Sequence, residues 1–402
     1  MTWTVGAINF PAGAPEAPTT DVGKIVGGVW PIQEDYGVNY QTQVNNAMGF
    51  DDVRGFSWRF HVEDTVNNST GAYIYTRLNA ARDWVKNWNT ANPTKIRDLA
   101  IRPIFGQYTP AYWTNQMADY FVYEHTSGAW IPHPAAAGTS NGTNQTRNGA
   151  VASGGTIGTP NTVFENFYRA YFRDFLIPFA QDCEANHGVR TRLIHGAWYG
   201  YQYSELYYGP AVQQSNSGYT AAQWRTAHQR LIDIVSDELP SNMATEFGLS
   251  GHGPIVGATN PAIENLLNHA VTVFGAGSDR FYASANGWDD QNAQDYDQIF
   301  GAGSDRTTEK TKQDALEARN VRVELQHIYG STPTADWARA KQWAMGSTSG
   351  TSPNLHKLGL GNENMKGVWL LEPYVDGIQP SDANLAAFQT MCTEFAAEIA
   401  AR

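Results

Sequence analysis

The sequence has few cysteines and no long hydrophobic runs. Only Cys183 and Cys392 occur in 402 residues, each in a segment of helical pattern, so a disulfide framework is not indicated, although one bridge between them stays open. No run of about 18 apolar residues is present, and the first 20 residues lack the basic and apolar regions of a secretory signal. We therefore expect no membrane span, and a location that is cytoplasmic, or virion or extracellular by a non-classical route.

Positive charge and metal-binding patterns are also scarce. Lys and Arg number 27 against 39 Asp and Glu, a net charge of −12, which argues against nucleic-acid binding because that depends on cationic side chains. The ten histidines show no HExxH spacing and no cluster with cysteine, so no metal site is expected. The two GAGSD stretches are not followed by GK[ST], as a phosphate loop would be, and we expect no cofactor.

Aromatic residues, by contrast, are abundant. They make up 12% of the chain, with 13 Trp and 20 Tyr, while charged residues make up only 16%. This exceeds what a core alone requires, so some rings are available for other work, and stacking against sugars is one candidate.

Short runs rich in β-branched and aromatic residues alternate with stretches of helical period, which indicates βα units. Eight such pairs predict an α/β fold, a (β/α)8 TIM barrel, as a single domain over residues 1–402. The predicted strands are 24–32, 54–62, 97–105, 191–199, 242–250, 280–288, 321–329 and 366–374. The predicted helices are 76–88, 165–186, 221–239, 261–274, 309–319, 334–344 and 382–402.

One βα unit of this pattern is much longer than the others. Residues 107–163, which follow the third strand, include a Gly, Ser, Thr and Asn-rich stretch too polar to form core. A linker between two domains is one reading. We prefer an inserted rim loop, because the flanking segments fit one continuous barrel. Such a loop would lie on the C-terminal face, where barrels build their active sites.

Carboxylates near the C-terminal ends of strands are the candidates for chemistry. Glu205 lies just past strand four in the aromatic stretch HGAWYGYQYSELYYG, and Glu324 lies inside strand seven. These strands face each other across the barrel mouth, so the pair could flank a glycosidic bond, as glycosidases require. Rings around Glu205 would raise the pKa of its carboxyl group toward that of a general acid. As alternatives, Glu205 is an ordinary solvated loop residue, or Glu324 pairs with Arg59 or Arg322 in a structural role.

Further residues are predicted to bind substrate. Gln326 shares the face of Glu324 by the two-residue strand period. It could equally lie at the level of the barrel where the catalytic residue is expected. Glu372, on strand eight, could bind substrate or pair with a base. The histidines at strand ends or mouth loops, His195, His252 and His327, could bind sugar hydroxyls or be hydrogen-bonded core residues. The candidate stacking rings are Trp198, Tyr199, Tyr203, Trp288 and Trp369.

Three stretches then carry a resemblance to a known family. VRGFSWRFHVED, GAYIYTRLNAARDWV and LAIRPIFGQYTPAYW resemble the opening of clan A glycoside hydrolases, especially β-galactosidase-like and cellulase-like barrels. The matching positions are Arg59, Glu63, Gly71, Tyr73, Thr109, Pro110 and Trp113. The likeness continues to Trp369 and the LEPY that follows it.

The resemblance implies roles for several residues. Glu205 takes the acid/base position and Glu324 the nucleophile position of a retaining hydrolase that acts on a poly- or oligosaccharide. Arg59 would stabilise the negative charge of the nucleophile, and Trp369 would form the floor of the sugar-binding subsite. The family usually has Asn directly before the acid, where this chain has Ser204.

That departure supports a second hypothesis. Barrels of this kind can lose activity and persist as carbohydrate-binding or structural proteins, for example in the tails of bacteriophages, where they assemble with other subunits. An enzyme requires the two carboxylates to meet at one cleft, whereas a binding protein requires only the aromatic platforms.

Overall fold

The computed structural model describes most of the predicted elements, with gaps between them. The described residues are 27–34, 45, 48–105, 108–116, 121–124, 129–132, 145–148, 162–196, 221–248, 261–288, 322–327, 368–373 and 385–401. Side chains within 32–34, 121–148 and 322–373, and some others, lie outside this description.

Parallel strands form the centre of the fold. They are β1 (Gly28–Val29), β2 (Ile32–Glu34), β3 (Gly55–His61), β4 (Asp98–Ile104), β8 (Leu193–His195), β9 (Ala244–Gly248), β10 (Phe281–Trp288), β11 (Arg322–His327) and β12 (Val368–Pro373). All of them lie within predicted strand segments except β2, which overlaps the predicted 24–32 only at Ile32, and the predicted α/β fold is confirmed.

The sheet closes on itself through its first strand. The order is β1-β12-β11-β10-β9-β8-β4-β3-β2, and β1 and β2 are halves of one strand separated by Trp30 and Pro31. Pro31 has no backbone N–H to donate to a ladder, which explains the interruption. Because β1 pairs with β12 and β2 pairs with β3, the nine segments make an eight-stranded parallel barrel, the TIM-barrel architecture.

Contacts with the helices identify the outer face of the strands. Phe56 packs on Trp84 with ring centroids 5.1 Å apart, and Phe281 packs on Phe274 at 5.4 Å. Trp84 and Phe274 belong to helices, so these strand residues face outward. The alternate residues of each strand, in register from one strand to the next, therefore face the barrel interior.

The outer helices agree with the predicted helical segments. They are α1 (Thr76–Ala91), α3 (Thr162–Tyr171), α4 (Ile177–His187), α5 (Ala221–Glu238), α6 (Pro261–Phe274) and α7 (Leu385–Ala401). A short 3₁₀ helix, Val62–Thr65, follows β3. Two further helical predictions, 309–319 and 334–344, lie outside the described residues.

Helices α3 and α4 are joined by a π-helical turn, Phe172–Leu176, into one continuous helix. The backbone N–H of Ile177 donates to the carbonyl oxygen of Phe172, a spacing of five residues. Pro178 follows directly and has no N–H to donate, a condition under which helices commonly adopt such irregular turns.

The segment after β4, predicted as an inserted rim loop over residues 107–163, contains secondary structure of its own. It contains a short helix α2 (Ala111–Thr114) and three strands, β5 (Phe121–Glu124), β6 (Ala129–Pro132) and β7 (Gln145–Asn148). These strands form an antiparallel sheet in the order β6-β5-β7. The start of the next helix at Thr162 also shortens the insertion at its C-terminal end.

Candidate functional site

The barrel interior contains a group of buried polar side chains. Arg59 on β3, Arg102 on β4, His195 on β8 and Glu246 on β9 are each at most 2% exposed, and Ser57 is fully buried beside them. All five occupy inward positions of consecutive strands, as the pairing of Arg59 with Arg102 and of His195 with Glu246 shows. Charged groups buried this deeply require partners.

His195 and Glu246 form the centre of this interior cluster. His195 Nδ1 hydrogen-bonds to Glu246 Oε2, and His195 Nε2 lies 3.4 Å from the hydroxyl oxygen of Ser57. Because the carboxylate accepts the Nδ1 proton, it fixes the orientation of the imidazole, and Nε2 is then an acceptor in the neutral ring or a donor in the protonated ring.

Arg102 adds positive charge to the same carboxylate. Its Nη2 lies 3.6 Å from Glu246 Oε2, which is an ion-pair distance but too long for a good hydrogen bond. Among the described residues, Glu246 Oε1 has no hydrogen-bond partner. Glu246 is therefore the anion that His195 and Arg102 share.

The order serine, histidine, carboxylate resembles a nucleophile activated by an oriented base. Burial argues against that use here, because Ser57 and His195 are both 0% exposed and no substrate carbonyl could reach the serine oxygen. The arrangement instead fixes the interior of the barrel beneath its C-terminal face. His195 was predicted to bind sugar or to be a hydrogen-bonded core histidine, and its burial and contacts are those of the core histidine.

Half-buried groups line the C-terminal ends of β3 and β4. The rings of His61 and Tyr108 stack with centroids 3.3 Å apart, and Arg77 Nη2 lies 3.2 Å from Asp64 Oδ2. Burial raises the pKa of the Asp64 carboxyl group. This edge of the barrel mouth thus combines an aromatic surface with a partly desolvated carboxylate, two features of sugar-binding sites.

The predicted catalytic pair is described only in part. Glu324 lies in β11, in register with Ser284 of β10 and Leu370 of β12. Ser284 lies on the same side of β10 as Tyr282, two residues earlier, and Tyr282 is in register with the inward-facing Glu246. Glu324 therefore belongs to the inward row of positions. Glu205 lies outside the described residues, as do Trp198, Tyr199, Tyr203 and His252.

Other predicted residues are located by backbone register alone. Gln326 is paired with Glu372, and Trp288 with His327. Trp369 falls at a register shift between β11 and β12, where Val323 pairs with Val368 and Glu324 with Leu370. These positions belong to the last three strands of the barrel, and their substrate-binding roles stay predictions.

The residues that carried the family resemblance are mainly packing residues. Trp113 is 1% exposed and stacks on Phe167 at 5.4 Å, and Tyr73 stacks on Phe175 at 4.8 Å. Gly71 has φ +73°, and a Cβ there would lie 2.3 Å from Tyr112 Cε1. The GAY stretch at 71–73 and the TPAYW stretch at 109–113 therefore join the segments after β3 and β4 to the α3–α4 helix.

Sequence reasoning did not single out Glu246 or Arg102. Each is a charged residue inside a predicted strand, NMATEFGLS and RDLAIRPIF, which is the signal that identified Glu324. A carboxylate in a barrel strand must face the polar mouth or meet a cation, and Glu246 meets both a histidine and an arginine.

The described part of the chain contains neither a cluster of metal ligands nor a membrane-spanning helix. No three His, Cys, Asp or Glu side chains there come together as metal ligands. None of the described helices is both long and apolar enough to cross a membrane. Cys183 and Cys392 are free and buried, so the two do not form a bridge.

Comparison with solved structures agrees with the barrel. The chain is similar to the catalytic domain of β-amylase from Paenibacillus polymyxa, with TM-score 0.50 and 8% identity over 92% of this chain and 99% of that one. D-psicose 3-epimerase, solved in the presence of D-fructose, gives TM-score 0.40 and 10% identity over 93% and 97%. Yersinia pestis DHPS with a pterine-sulfa conjugate gives 0.35 and 6% over 94% and 95%.

At these identities the likeness shows the fold alone, and the last two scores are too low to carry an argument. Neither protein-family models nor the curated protein sequences give a match to this chain. The class that the structure and its neighbours define is the (β/α)8 barrel, in which the C-terminal face is the expected location of an active site.

Proposed function

We propose that this protein is a glycoside hydrolase that cleaves a poly- or oligosaccharide by a retaining mechanism. Glu324 acts as the nucleophile, and Glu205 acts as the general acid and then as the general base. Arg59 supports the nucleophile's charge, and the rings predicted around the mouth stack against the sugar. The proposed relationship is to clan A of the glycoside hydrolases.

The observation that carries this proposal is the position of Glu324 in a closed barrel. Glu324 occupies an inward position of β11, the seventh strand of the barrel. The same inward row holds the buried Arg59 and Glu246. A strand carboxylate in such surroundings either meets a cation or serves the site. The fold likeness to a β-amylase catalytic domain supports a barrel of hydrolase type, and the half-buried His61 and Tyr108 support sugar stacking at the same end.

In the proposed reaction the two carboxylates divide the steps. A Glu324 oxygen attacks the anomeric carbon while Glu205 donates its proton to the leaving oxygen, giving a glycosyl ester of Glu324. Glu205 then takes a proton from water, which attacks the same carbon and frees Glu324. Two inversions return the original configuration.

The test uses Glu205→Ala and Glu324→Ala with an activated aryl glycoside, and Asp83→Asn on the exposed side of α1 as a control. Both alanine variants should lose at least about 10²-fold in kcat, and the control should keep its rate. Added azide should restore turnover in both, giving a glycosyl azide of retained configuration with Glu205→Ala and of inverted configuration with Glu324→Ala. Unchanged turnover of either alanine variant would remove that residue from the mechanism.

A second candidate function is favoured by Ser204, which stands where the family usually has Asn. In that case the barrel is a non-catalytic carbohydrate-binding or structural protein, such as a component of a phage tail assembled with other subunits. Saturable glycan binding without hydrolysis, unchanged by Glu205→Ala and Glu324→Ala, would favour this function over catalysis.

A further inference from the structure

A cavity lies at the opposite end of the barrel from the proposed active site. It has a volume of about 680 Å³ and is lined by residues at the starts of β1, β3 and β4 and on the last turns of α7, among them Gly28, Arg54, Arg97 and Ile399. Small-molecule sites commonly have volumes of roughly 300 to 1,000 Å³. We call it the N-terminal cleft, after the strand ends that form it.

Two guanidinium groups at the N-terminal cleft, those of the half-buried Arg54 and of Arg190, share one buried carboxylate, Asp98. Arg54 Nη2 lies 2.7 Å from Asp98 Oδ2, but the same carboxylate oxygen also accepts a hydrogen bond from Arg190 Nε at 2.9 Å. One buried carboxylate thus serves two guanidinium groups. Arg54 Nε has no hydrogen-bond partner among the described residues.

Arg97 adds a second cation to this wall. It is 4% exposed, and the described hydrogen bonds of its guanidinium group all go to backbone carbonyl oxygens, those of Met48, Phe50 and Ile96. These bonds satisfy its N–H groups but supply no full negative charge. Burial is the main cause that lowers the pKa of both Arg54 and Arg97, as expected where counter-charge is incomplete.

The acidic residues of the cleft are already engaged. Asp51 Oδ1 lies 2.7 Å from Lys95 Nζ, and Asp52 Oδ2 accepts a hydrogen bond from Thr393 Oγ1 at 2.9 Å. Asp51 is 66% exposed, so solvent screens its charge more than the charges of the half-buried Arg54 and the buried Arg97.

The rest of the wall is apolar. Ile96, 52% exposed and one of the few large exposed hydrophobic residues described, lines the cleft together with Val53, Ala396 and Ile399. An exposed isoleucine facing a cavity can bury its surface against the apolar part of a ligand.

We propose that the N-terminal cleft binds a small amphiphile that carries one oxyanion, a carboxylate or a phosphate, on a short apolar body. The exposed part of Arg54 receives the oxyanion, and Ile96 and Ile399 cover the body. Arg54 lies at the start of β3 and shares Asp98 with Arg190, which precedes β8, so a bound anion stabilises the end of the barrel where these strands begin.

The experiment measures binding by calorimetry with four probes on the full chain. Hexanoate and hexyl phosphate carry both features, whereas inorganic phosphate and hexanol each carry one. At least one of the two amphiphiles should bind saturably and at least about tenfold more tightly than either single-feature probe. The tighter of hexanoate and hexyl phosphate then identifies the preferred oxyanion.

Two variants locate the site. Arg54→Gln should weaken binding by about tenfold or more, because it removes a charge-assisted hydrogen bond to the oxyanion. Arg54 also pairs with Asp98, so its loss could disturb the fold. A second variant therefore keeps Arg54: Ala396→Phe fills the cleft and should abolish binding. Ala397→Phe on the same helix, at an exposed position that does not line the cleft, should bind like the wild type. Absence of saturable binding by both amphiphiles, or full binding by Ala396→Phe, would overturn the proposal.

Discussion

At the scale of single residues, Glu246 shows how a carboxylate in a barrel strand acquires its partners. In the sequence Glu246 stands between Thr245 and Phe247, and no neighbouring residue indicates its partners. Its partner His195 lies 51 residues earlier in the chain, and only the pairing of β8 with β9 brings them together. The sequence thus indicates that a strand carboxylate needs a partner, but it does not identify the partner.

The buried pairing of Glu246 makes a stability prediction. Glu246→Ala should lower the free energy of unfolding by about 3 to 5 kcal/mol, because it leaves the buried His195 and Arg102 without their shared anion. Glu246→Gln keeps the shape and one hydrogen bond and should lose less. Urea unfolding measures both. Asp174→Ala, which removes an exposed ion pair with Arg173, should change stability by less than about 1 kcal/mol. Equal losses in the two alanine variants would contradict the proposed importance of the buried pair.

A second residue-scale prediction concerns Cys183. Burial raises the pKa of its thiol from 9.0 to about 12. Between those values the unfolded chain releases the thiol proton while the folded chain retains it, so the stabilisation is present below pH 9 and is lost as the pH rises toward 12. Urea unfolding at pH about 8 and about 10 should show a steeper loss of stability with pH for wild type than for Cys183→Ala. Parallel losses would mean that the thiol titrates alike in both states.

At the scale of elements, hydrophobic period predicted most of the barrel. Helix α6 occupies the predicted 261–274, and α5 ends one residue before the predicted end, because long amphipathic segments carry a strong periodic signal. The β5–β7 sheet was missed because its strands have only four residues each and lie in a stretch rich in turn-forming residues. The π turn of the α3–α4 helix likewise has no periodic signal of its own.

Close packing between elements gives a prediction at Gly71. Its φ of +73° disfavours a side chain, and a Cβ would also collide with the Tyr112 ring. Gly188, at the C-terminal end of α4, has a similar φ of +65° but no atom within 4 Å of a Cβ. Gly188→Ala should therefore lose only about 1 to 2 kcal/mol from backbone strain, whereas Gly71→Ala should lose more, since the ring must move. Thermal and urea unfolding of the two variants measure the difference, and equal losses would show that Tyr112 yields without cost.

At the scale of the whole molecule, closure of the barrel makes the chain ends depend on each other. Strand β1 pairs with β12, and the α7 side chain of Gln389 accepts a hydrogen bond from the backbone N–H of Asp51 at 2.8 Å and donates one to the Asp51 carbonyl oxygen at 3.1 Å. The last helix is thus held against the loop that precedes β3. A parallel sheet closed in this way has no free edge at which one part could separate from the rest.

This dependence predicts that damage to the last helix is felt throughout the barrel. Phe395 of α7 is fully buried, and Phe395→Ala should lower the free energy of unfolding by about 3 to 5 kcal/mol. If residues 1–402 form one domain, hydrogen exchange should show the same loss of protection in β3 and β4 as in β11 and β12, because the strands open together. Ala397→Ser, at an exposed position of the same helix, should change neither the free energy of unfolding nor the hydrogen-exchange protection. A loss confined to β1, β12 and α7 would instead indicate that the two halves of the barrel unfold as separate units.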